Sequence, residues 1–274
     1  MKDIEFTVLM AVYGGDDPDL FHKALRSVFA NSRLPNAVVL VVDGPVPEAI
    51  HRVIDTYRSN PCMLTVALPS NGGLAKALNV GLTYVRTAWV VRADADDFNH
   101  SCRFEILCNA IDDDIDLIGS SISEVERNGE VICERCLPLN HDEIIKFMRR
   151  RNPFNHMTVA FRVELARRSG GYPPLHLRED YALWIRMCAR GARMRNLPQI
   201  LVDATTGREM YERRGGWRYA KGEWALQRLL VNEGIKSPAL AIIDLILRSS
   251  IFLAPRSLRR IFYEKLLRHR KSKS

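Results

Sequence analysis

Several signals that would assign this chain to a familiar class are missing from its sequence. The 274 residues contain no internal repeat and no low-complexity block, and the apolar stretch that ends at Pro255 is too short and too charged to span a bilayer. No G-x-G-x-x-G motif follows the first apolar run, which disfavours a dehydrogenase. The N-terminal sequence passes directly into a predicted strand rather than into a secretory signal, so we expect a cytoplasmic protein.

The cysteines give no sign of a metal or redox centre. In a reducing cytoplasm we expect them to be free thiols. Cys133-x-x-Cys136 has the spacing of half a zinc site or of a redox pair, but no second C-x-x-C follows it. Its flanking residues predict a strand, on which positions three apart point to opposite faces. The six cysteines are Cys62, Cys102, Cys108, Cys133, Cys136 and Cys188.

Positive charge is in excess, and its location matters more than its amount. The formal charge of +8 and the pI near 9.3 imply an anionic partner, which could be nucleic acid, a nucleotide diphosphate or an anionic membrane. Eight Lys and Arg residues between Arg256 and Lys273 have only Glu264 as a nearby acid. Without them the chain is close to neutral, so we do not expect a nucleic-acid partner.

Short apolar runs alternate with polar or helical segments in the first half of the chain, which predicts an α/β fold with a mostly parallel sheet flanked by helices. Ligands of such sheets bind outside the carboxyl ends of the strands. The first helix should begin at Asp17-Pro18, and the third should turn Leu74, Ala77, Leu78 and Gly81 toward the core. The predicted strands are Phe6 to Val12, Ala37 to Asp43, Leu64 to Ala67 and Trp89 to Ala93, and the second and third helices are Pro47 to Ser59 and Leu74 to Val85.

The second half of the chain is less regular. We predict a strand from Asp116 to Ile122 and a hairpin from Glu124 to Leu137, with Asn128-Gly129 forming a type I′ turn. A basic helix around His141 to Arg150, a strand from Thr158 to Phe161 and a helix opened by Arg178-Glu179-Asp180-Tyr181 should follow.

The C-terminal segment carries two predicted helices. Ser237-Pro238 starts one in which Asp244 and Arg248 form a polar stripe beside many apolar residues. Ser257 to Arg268 forms a basic amphipathic helix, which is typical of a membrane interface, although docking on its own domain or on a partner is the alternative. We therefore divide the chain into a domain at 1–235 and a membrane-associating tail at 236–274.

An acidic cluster, Asp94-Ala95-Asp96-Asp97, follows the buried strand that begins at Trp89. Carboxylates gathered at a strand end repel one another, and a divalent cation relieves that repulsion; oxygen ligands suit Mg²⁺ or Mn²⁺. A metal there could hold a diphosphate. The alternative is a solvated Asp-rich turn, because so short a motif recurs by chance.

Five features follow one another along the chain: Tyr13, Asp43, the run Asn71-Gly72-Gly73-Leu74-Ala75-Lys76, the cluster Asp94-Ala95-Asp96-Asp97 and the pair Glu179-Asp180. In this order they resemble glycosyltransferase family 2, whose members are inverting enzymes with a GT-A fold that use nucleotide sugars. The resemblance covers roughly residues 5 to 235, and its strength lies in the ordered set, since each motif alone is weak.

The resemblance implies roles on the donor side. Tyr13 and Asp43 would contact the nucleotide, with Asp43 accepting from uracil or ribose, and Asp96 would bind a Mg²⁺ or Mn²⁺ ion that bridges the two phosphates. The residues themselves allow alternatives to these nucleotide contacts. Asp43 would then only form a turn with Gly44-Pro45, and Asn71-Gly72-Gly73 would only be a loop between regular elements. The remaining donor residues would be Asn71 and Gly73 along the nucleotide, Lys76 near phosphate, Asp94 at the ribose, and Arg208 from a cluster with Arg213 and Arg214.

On the acceptor side, Asp180 matches the family's catalytic base, which takes the proton of the attacking hydroxyl. Glu179 and His156 would bind the acceptor. Acids in the first turn of a helix also interact favourably with its dipole, and a histidine beside a proline turn can be a core residue, so both alternatives stay open.

The implied reaction moves a hexose, galactose or glucose, from a UDP-sugar to a saccharide linked to undecaprenyl diphosphate in O-antigen or exopolysaccharide biosynthesis. The protein would then be peripheral on the inner face of a bacterial cytoplasmic membrane, with that anionic surface as a partner. A sugar nucleotidyltransferase is disfavoured, because Tyr13-Gly14-Gly15-Asp16-Asp17 is acidic where a triphosphate loop would be basic. A non-catalytic membrane-bound assembly subunit with a transferase fold is the other alternative.

Overall fold

The computed structural model describes residues 4–206 and 217–253. Within them, nine strands share one sheet and nine α-helices cover it. The strands are β1 Phe6–Tyr13, β2 Ala37–Asp43, β3 Met63–Ala67, β4 Trp89–Arg92, β5 Phe98–Asn99, β6 Leu117–Val125, β7 Val131–Arg135, β8 Ala160–Arg162 and β9 Met194–Thr205. The helices are α1 Pro18–Phe29, α2 Glu48–Tyr57, α3 Leu74–Tyr84, α4 Arg103–Ala110, α5 His141–Met148, α6 Val163–Arg168, α7 Glu179–Ala189, α8 Trp217–Asn232 and α9 Pro238–Leu253.

The sheet runs in the order β3-β2-β1-β4-β8-β6-β9-β5, with β7 beside β6. Its first four strands are parallel, and β8 is antiparallel to both β4 and β6. Alternate residues of β1 belong to two hydrophobic cores, one on each face of the sheet. Phe6 and Val8 pack with α1, α2 and α4, whereas Leu9 packs with α3 and α7. Both faces of the parallel part are therefore covered, and the carboxyl ends of β1, β2 and β4 meet at one edge.

The parallel half agrees with the sequence prediction. All four strands form within one residue of their predicted bounds, and the Asp17 carboxylate caps α1 by accepting from the backbone N–H groups of Asp19 and Leu20. One residue of α3 differs, because Leu74 is exposed rather than turned into the core. It lies in the first turn of the helix, which projects beyond the sheet edge.

Two predictions in the second half need correction. The turn of the β6–β7 hairpin is not type I′, since among the described non-glycine residues only Leu177 has a positive φ. Asn128 keeps a negative φ and accepts from the Glu130 N–H at 2.9 Å, while Gly129 has φ +87°. This is the type I turn with a left-handed glycine that typically closes a longer hairpin loop. In addition, β6 extends to Val125 rather than ending at Ile122.

The second correction concerns the strand expected from Thr158. His156–Thr158 forms a 3₁₀ turn, and the strand begins only at Ala160. The Thr158 hydroxyl donates to the Asn155 carbonyl at 2.8 Å and accepts from the Ser120 N–H at 3.0 Å. These bonds hold Thr158 in the turn in place of ladder pairing.

The last two helices pack in an unusual orientation. α9 lies against α8 through its polar stripe: Arg248 pairs with the fully buried Glu223 at 3.6 Å, and Asp244 pairs with the buried Lys236. Its apolar side chains therefore point outward, and Leu240, Ile242, Ile243, Ile246 and Leu247 are between 43% and 63% exposed. The division at residue 235 falls in the turn between the two helices and stays a prediction.

Candidate active site

The side chains predicted from the parallel strands do meet at one edge of the sheet. Tyr13 ends β1 directly opposite Asp43, which ends β2, and the neighbouring β4 leads into Asp94. Tyr13 is 47% exposed and its ring covers Gly15, whereas the Asp43 side chain is buried. The edge thus combines an exposed aromatic ring with several carboxylates.

Asp43 anchors the loop that precedes α3. Its two carboxylate oxygens accept from the backbone N–H groups of Gly72 and Gly73, at 2.7 and 2.8 Å. These two bonds satisfy a charge that burial would otherwise make costly. The direct role of Asp43 toward a nucleotide stays a prediction; the contacts present show that it sets the position of the loop.

The loop before α3 approaches the end of β2 so closely that position 44, directly after β2, requires glycine. At Gly44, with φ +85°, an added Cβ would lie 2.4 Å from the Asn71 nitrogen. Asn71 and Lys76 are both exposed, and the Lys76 side chain folds over Gly72, where an added Cβ would lie 2.4 Å from its Cδ. The aliphatic part of the Lys76 side chain therefore lies over the backbone of the loop at the start of α3, where N–H groups favour anions.

Four carboxylates crowd around the carboxyl ends of β1 and β4. Burial and the Asp94 charge raise the pKa of Asp16 to about 6. Asp96 is exposed, yet the surrounding protein partly desolvates its carboxylate, and this effect together with Asp94 and Asp16 raises its pKa to about 7. Burial followed by repulsion from Asp96 and Asp94 raises the pKa of Asp97 well above its ordinary value. Such mutual repulsion favours binding of a cation.

Two buried arginines lie beneath this acidic cluster. Arg92 donates to the Asp94 carboxylate and to the carbonyls of Leu9 and Ala93, and Arg103 donates to the Arg92 carbonyl at 2.7 Å. Burial lowers the pKa of Arg103 to about 9. Both guanidinium groups lie on the protein side of the carboxylates, so the opposite side faces solvent and can receive a cation.

The cluster suits a metal ion that a substrate helps to bind. Within residues 4–206 and 217–253, no group of three His, Cys, Asp or Glu side chains is arranged to hold a metal by itself. Asp97 Oδ2 is buried and has no hydrogen-bond partner in that part of the chain. Mg²⁺ typically takes one or two carboxylates and completes its shell with water and substrate phosphates. Asp94 and Asp96 offer that incomplete set of hard oxygen ligands.

Asp180 lies in a different environment, in the first turn of α7. Its Oδ2 accepts from the Asn152 side-chain amide at 2.6 Å. Burial raises the pKa of Asp180, while His156 and the Asn152 hydrogen bond oppose the rise and Glu179 adds to it. A half-buried carboxylate with a raised pKa and one fixed donor is suited to accept a proton.

Glu179 turns back on its own helix end. Its carboxylate accepts from the Arg178 N–H at 2.9 Å, and burial raises its pKa. This contact supports the helix-terminus interpretation for Glu179, and acceptor binding stays a prediction. Leu177, two residues before Glu179, has φ +60°, so the backbone is strained just before the Glu179-Asp180 pair.

His156 packs among aromatic rings. Its Nε2 lies 3.2 Å from the Tyr172 hydroxyl, and its ring contacts those of Tyr172 and Trp184. Burial and then Arg92 lower the pKa of His156, whereas the charges of Asp180 and Asp94 raise it. The charges of Asp180 and of Asp94 therefore both act on His156.

Asn79 connects α3 to the loop that leads to α7. Asn79 of α3 donates to the Tyr172 carbonyl and accepts from the Tyr172 N–H, both at 2.8 Å. At Gly171, with φ +64°, a Cβ would meet the Asn79 side chain at 2.3 Å. The helix that begins at the glycine loop therefore also fixes the loop that leads to α7.

Sequence reasoning did not select every residue that the fold brings to the site. Asp16, Arg92 and Asn152 were missed as site residues, although an acid after the first strand and an arginine inside an apolar strand were visible signals. Nothing in the sequence joins Asn152 to Asp180. Arg208, with Arg213 and Arg214, lies outside the described residues, as does the predicted helix from Ser257 to Arg268.

Comparison with known proteins defines the class. Residues 7–169 match the family model of glycosyl transferase family 2, which is more than half of the chain. The protein therefore belongs to glycosyltransferase family 2, as its motifs indicated, and it is a glycosyltransferase.

Relatives from several bacteria match along nearly the whole chain. The Escherichia coli UDP-Gal:alpha-D-GlcNAc-diphosphoundecaprenol beta-1,3-galactosyltransferase is 36% identical over 96% of this chain and 97% of its own. The amylovoran biosynthesis glycosyltransferase AmsE of Erwinia amylovora is 32% identical over 95% and 98%. The chain is therefore similar in extent to enzymes of bacterial polysaccharide assembly.

Solved structures confirm the GT-A fold. Staphylococcus aureus TarS 1–349 in complex with UDP-GlcNAc superposes with a TM-score of 0.64 at 18% identity, covering 88% of this chain and 70% of that one. The mannosyltransferase PcManGT of Pyrobaculum calidifontis, in complex with GDP-Man and Mn²⁺, gives 0.62 at 19% identity, covering 90% and 69%. At these identities the likeness establishes the fold alone.

Proposed function

We propose that the protein is an inverting, metal-dependent hexosyltransferase that uses a UDP-sugar, with galactose as the sugar moved, and a saccharide linked to undecaprenyl diphosphate as acceptor. The observation that carries this proposal is the pairing of an acidic cluster at the ends of the parallel strands with a separate carboxylate, Asp180, which accepts from the Asn152 amide at 2.6 Å. Support for the substrates comes from the 36% identical galactosyltransferase, whose name contains both.

In this proposal, different residues of the chain bind the donor and take the proton of the acceptor. The loop that Asp43 anchors and Lys76 would lie along the UDP moiety, and Asp94 would contact the ribose. Asp180 would take the proton of the acceptor hydroxyl as it attacks the anomeric carbon from the face opposite the diphosphate. A single in-line displacement inverts, so an α-linked donor gives a β-glycoside.

Asp96 would hold Mg²⁺ or Mn²⁺. The ion would neutralise the charge that develops on the departing diphosphate by acting as a Lewis acid. Arg92 and Arg103 would stay beneath the carboxylates and keep Asp94 in position. Support for a divalent ion is the hard oxygen donor set and the Mn²⁺ complex of a neighbour with the same fold.

We also propose that the protein associates with the inner face of the bacterial cytoplasmic membrane. Support comes from the outward apolar face of α9 and from the basic sequence beyond Pro255. No helix in the described residues has the length and hydrophobicity to cross a bilayer. In the full chain, Leu247→Glu should weaken co-sedimentation with anionic vesicles, whereas Leu34→Glu, at a similarly exposed leucine elsewhere, should not. Equal binding by both variants would contradict this part of the proposal.

The catalytic proposal is tested by transfer assays with purified full-length protein. Each UDP-hexose is offered with a GlcNAc-diphosphate lipid and Mn²⁺ or Mg²⁺, and the product is analysed for anomeric configuration by NMR. We expect metal-dependent formation of a β-galactoside from UDP-galactose. An α-linked product, or the same rate after metal removal with EDTA, would contradict the proposed chemistry.

A further inference from the structure

A basic groove at the C-terminal end of α5 is not used by the reaction described above. Its volume is about 500 Å³, and it is lined by Pro138, Glu143, Lys146, Phe147, Arg150 and Arg151. Three cations therefore face one carboxylate, and a half-buried phenylalanine supplies an apolar wall. The groove has the composition of an anion site with an adjacent hydrophobic surface.

The cations of this groove are available to a ligand. In the part of the chain that the structure describes, Lys146 and Arg151 are exposed and form no ion pair. Arg150 is 68% exposed on its side chain and reaches Asp244 only at 3.7 Å. A helix C-terminus attracts cations, but Lys146 and Arg150, four residues apart and both lining the groove, are like charges that repel each other. A bound anion would relieve that repulsion.

The groove adjoins the candidate base through residues that neighbour its lining in the sequence. Arg151 is followed at once by Asn152, whose amide donates to Asp180 at 2.6 Å. The Tyr181 hydroxyl donates to the Met148 carbonyl at the end of α5. Adjacent Cα atoms are about 3.8 Å apart, so the Arg151 backbone lies next to the residue that holds the base.

On its other side the groove meets α9. Arg248 donates to the Arg150 carbonyl, so the polar stripe of α9 contacts the groove wall. From that stripe, the apolar residues of α9 point away from the domain. The candidate base Asp180, the basic groove and the apolar face of α9 therefore lie in this order along one side of the molecule.

From this order we infer that the groove binds the diphosphate of the lipid-linked acceptor, an inference that rests on the proposed function. Such an acceptor carries its sugar, its diphosphate and its hydrocarbon chain in the same sequence as the base, the groove and the apolar helix. Arginine binds phosphate oxygens through paired N–H donors, and lysine adds a point charge. The groove thus selects an acceptor by its diphosphate rather than by its sugar.

The experiment uses full-length protein and two soluble probes: a short-chain alkyl diphosphate that carries GlcNAc, and the neutral alkyl glycoside of the same sugar. The variants are Lys146→Gln and Arg151→Gln. Arg149→Gln is the matched control, because it removes an exposed cation from the same helix end but does not line the groove. We expect each groove variant to raise KM for the diphosphate probe about tenfold, the worth of one hydrogen bond to a charged group. KM for the neutral glycoside and UDP affinity should not change.

Equal KM values for the groove variants and Arg149→Gln would overturn the inference. It would also be overturned if the parent bound the diphosphate probe no better than the neutral glycoside in calorimetry. Loss of binding to anionic vesicles with an unchanged KM for the soluble probe would assign the groove to lipid headgroups instead. If the parent binds the diphosphate probe through Lys146 and Arg151 but uses no UDP-sugar, the groove stands and the proposed donor is wrong.

Discussion

The two acidic parts of the site hold the same chemical group in contrasting surroundings. At the strand ends, burial and then the charges of neighbouring carboxylates raise the pKa of Asp96 and of Asp97. At the start of α7, Asp180 is affected mainly by burial, and an amide donor stabilises its ionised form. Carboxylates crowded by several others are suited to a cation, and a half-buried one whose ionised form is supported by hydrogen bonds is suited to a proton. The same residue type, aspartate, is thus suited to cation binding in one place and to proton transfer in the other, because the surrounding groups differ.

Removing a carboxylate from the crowded group should have the largest effect. We expect Asp96→Ala to abolish metal-dependent binding of UDP, because the diphosphate would lose the cation that neutralises it. The measurement is the rise in Tm that UDP gives with Mn²⁺, and Asp114→Ala, at an exposed acid remote from the strand ends, is the control. A rise equal to that of the parent would show that Asp96 does not bind the metal.

The next largest effect should come from the carboxylate of Asp180. Asp180→Asn is expected to slow single-turnover transfer by about 10² to 10⁴, the usual worth of a general base. Burial raises the pKa of Asp180 in the folded protein above its value in the unfolded chain. The ionised carboxylate therefore lowers the free energy of unfolding as the pH rises from the lower of these two pKa values through the higher one. The variant should therefore lose no stability in urea unfolding at pH 8. Near-parental transfer would move the base elsewhere.

A substitution at Asn152 tests how the surroundings of Asp180 differ from those of the carboxylates at the strand ends. Its hydrogen bond favours the ionised form of Asp180, so Asn152→Ala should raise the pKa of that carboxylate and move the acidic limb of the kcat/KM profile to higher pH. We expect roughly tenfold lower transfer at pH 6 and a smaller loss at pH 8. Asn128→Ala, in the hairpin turn, serves as the control. A loss that is the same at every pH would indicate a positioning role only.

The smallest effect concerns the loop that Asp43 anchors. Gly44→Ala should lower the free energy of unfolding by about 2 kcal/mol, because the left-handed φ is unfavourable and the new Cβ would press on Asn71. Gly129→Ala has a similar φ with open space around it, and should cost only about 1 kcal/mol. Equal losses in urea unfolding would mean that the loop yields to the added methyl group.

Local patterns were sufficient for the parallel half of the fold. Apolar runs and the Asp17 cap gave β1 to β4 and α1, and the strand-end rule placed Asp43 and Asp94 at one edge. The hairpin turn and the Thr158 segment failed because side-chain hydrogen bonds of Asn128 and Thr158 decided them. Asn152 could not be paired with Asp180, since only tertiary packing brings residues 28 positions apart together.

The orientation of α9 was also beyond the sequence. Its pattern predicts an amphipathic helix, and such a helix normally turns its apolar side to the domain. Here Glu223 and Lys236, both buried, attract the polar stripe instead. Which face packs depends on charges in other elements of the fold.

The division of roles between the two acidic regions is tested most directly by calorimetric titration of UDP with Mn²⁺ into Asp96→Ala and Asp180→Asn side by side. The account predicts that Asp180→Asn binds UDP with the parental Kd, while Asp96→Ala shows no metal-dependent binding. Loss of UDP binding in Asp180→Asn, or its retention in Asp96→Ala, would contradict the separation of cation binding from proton transfer.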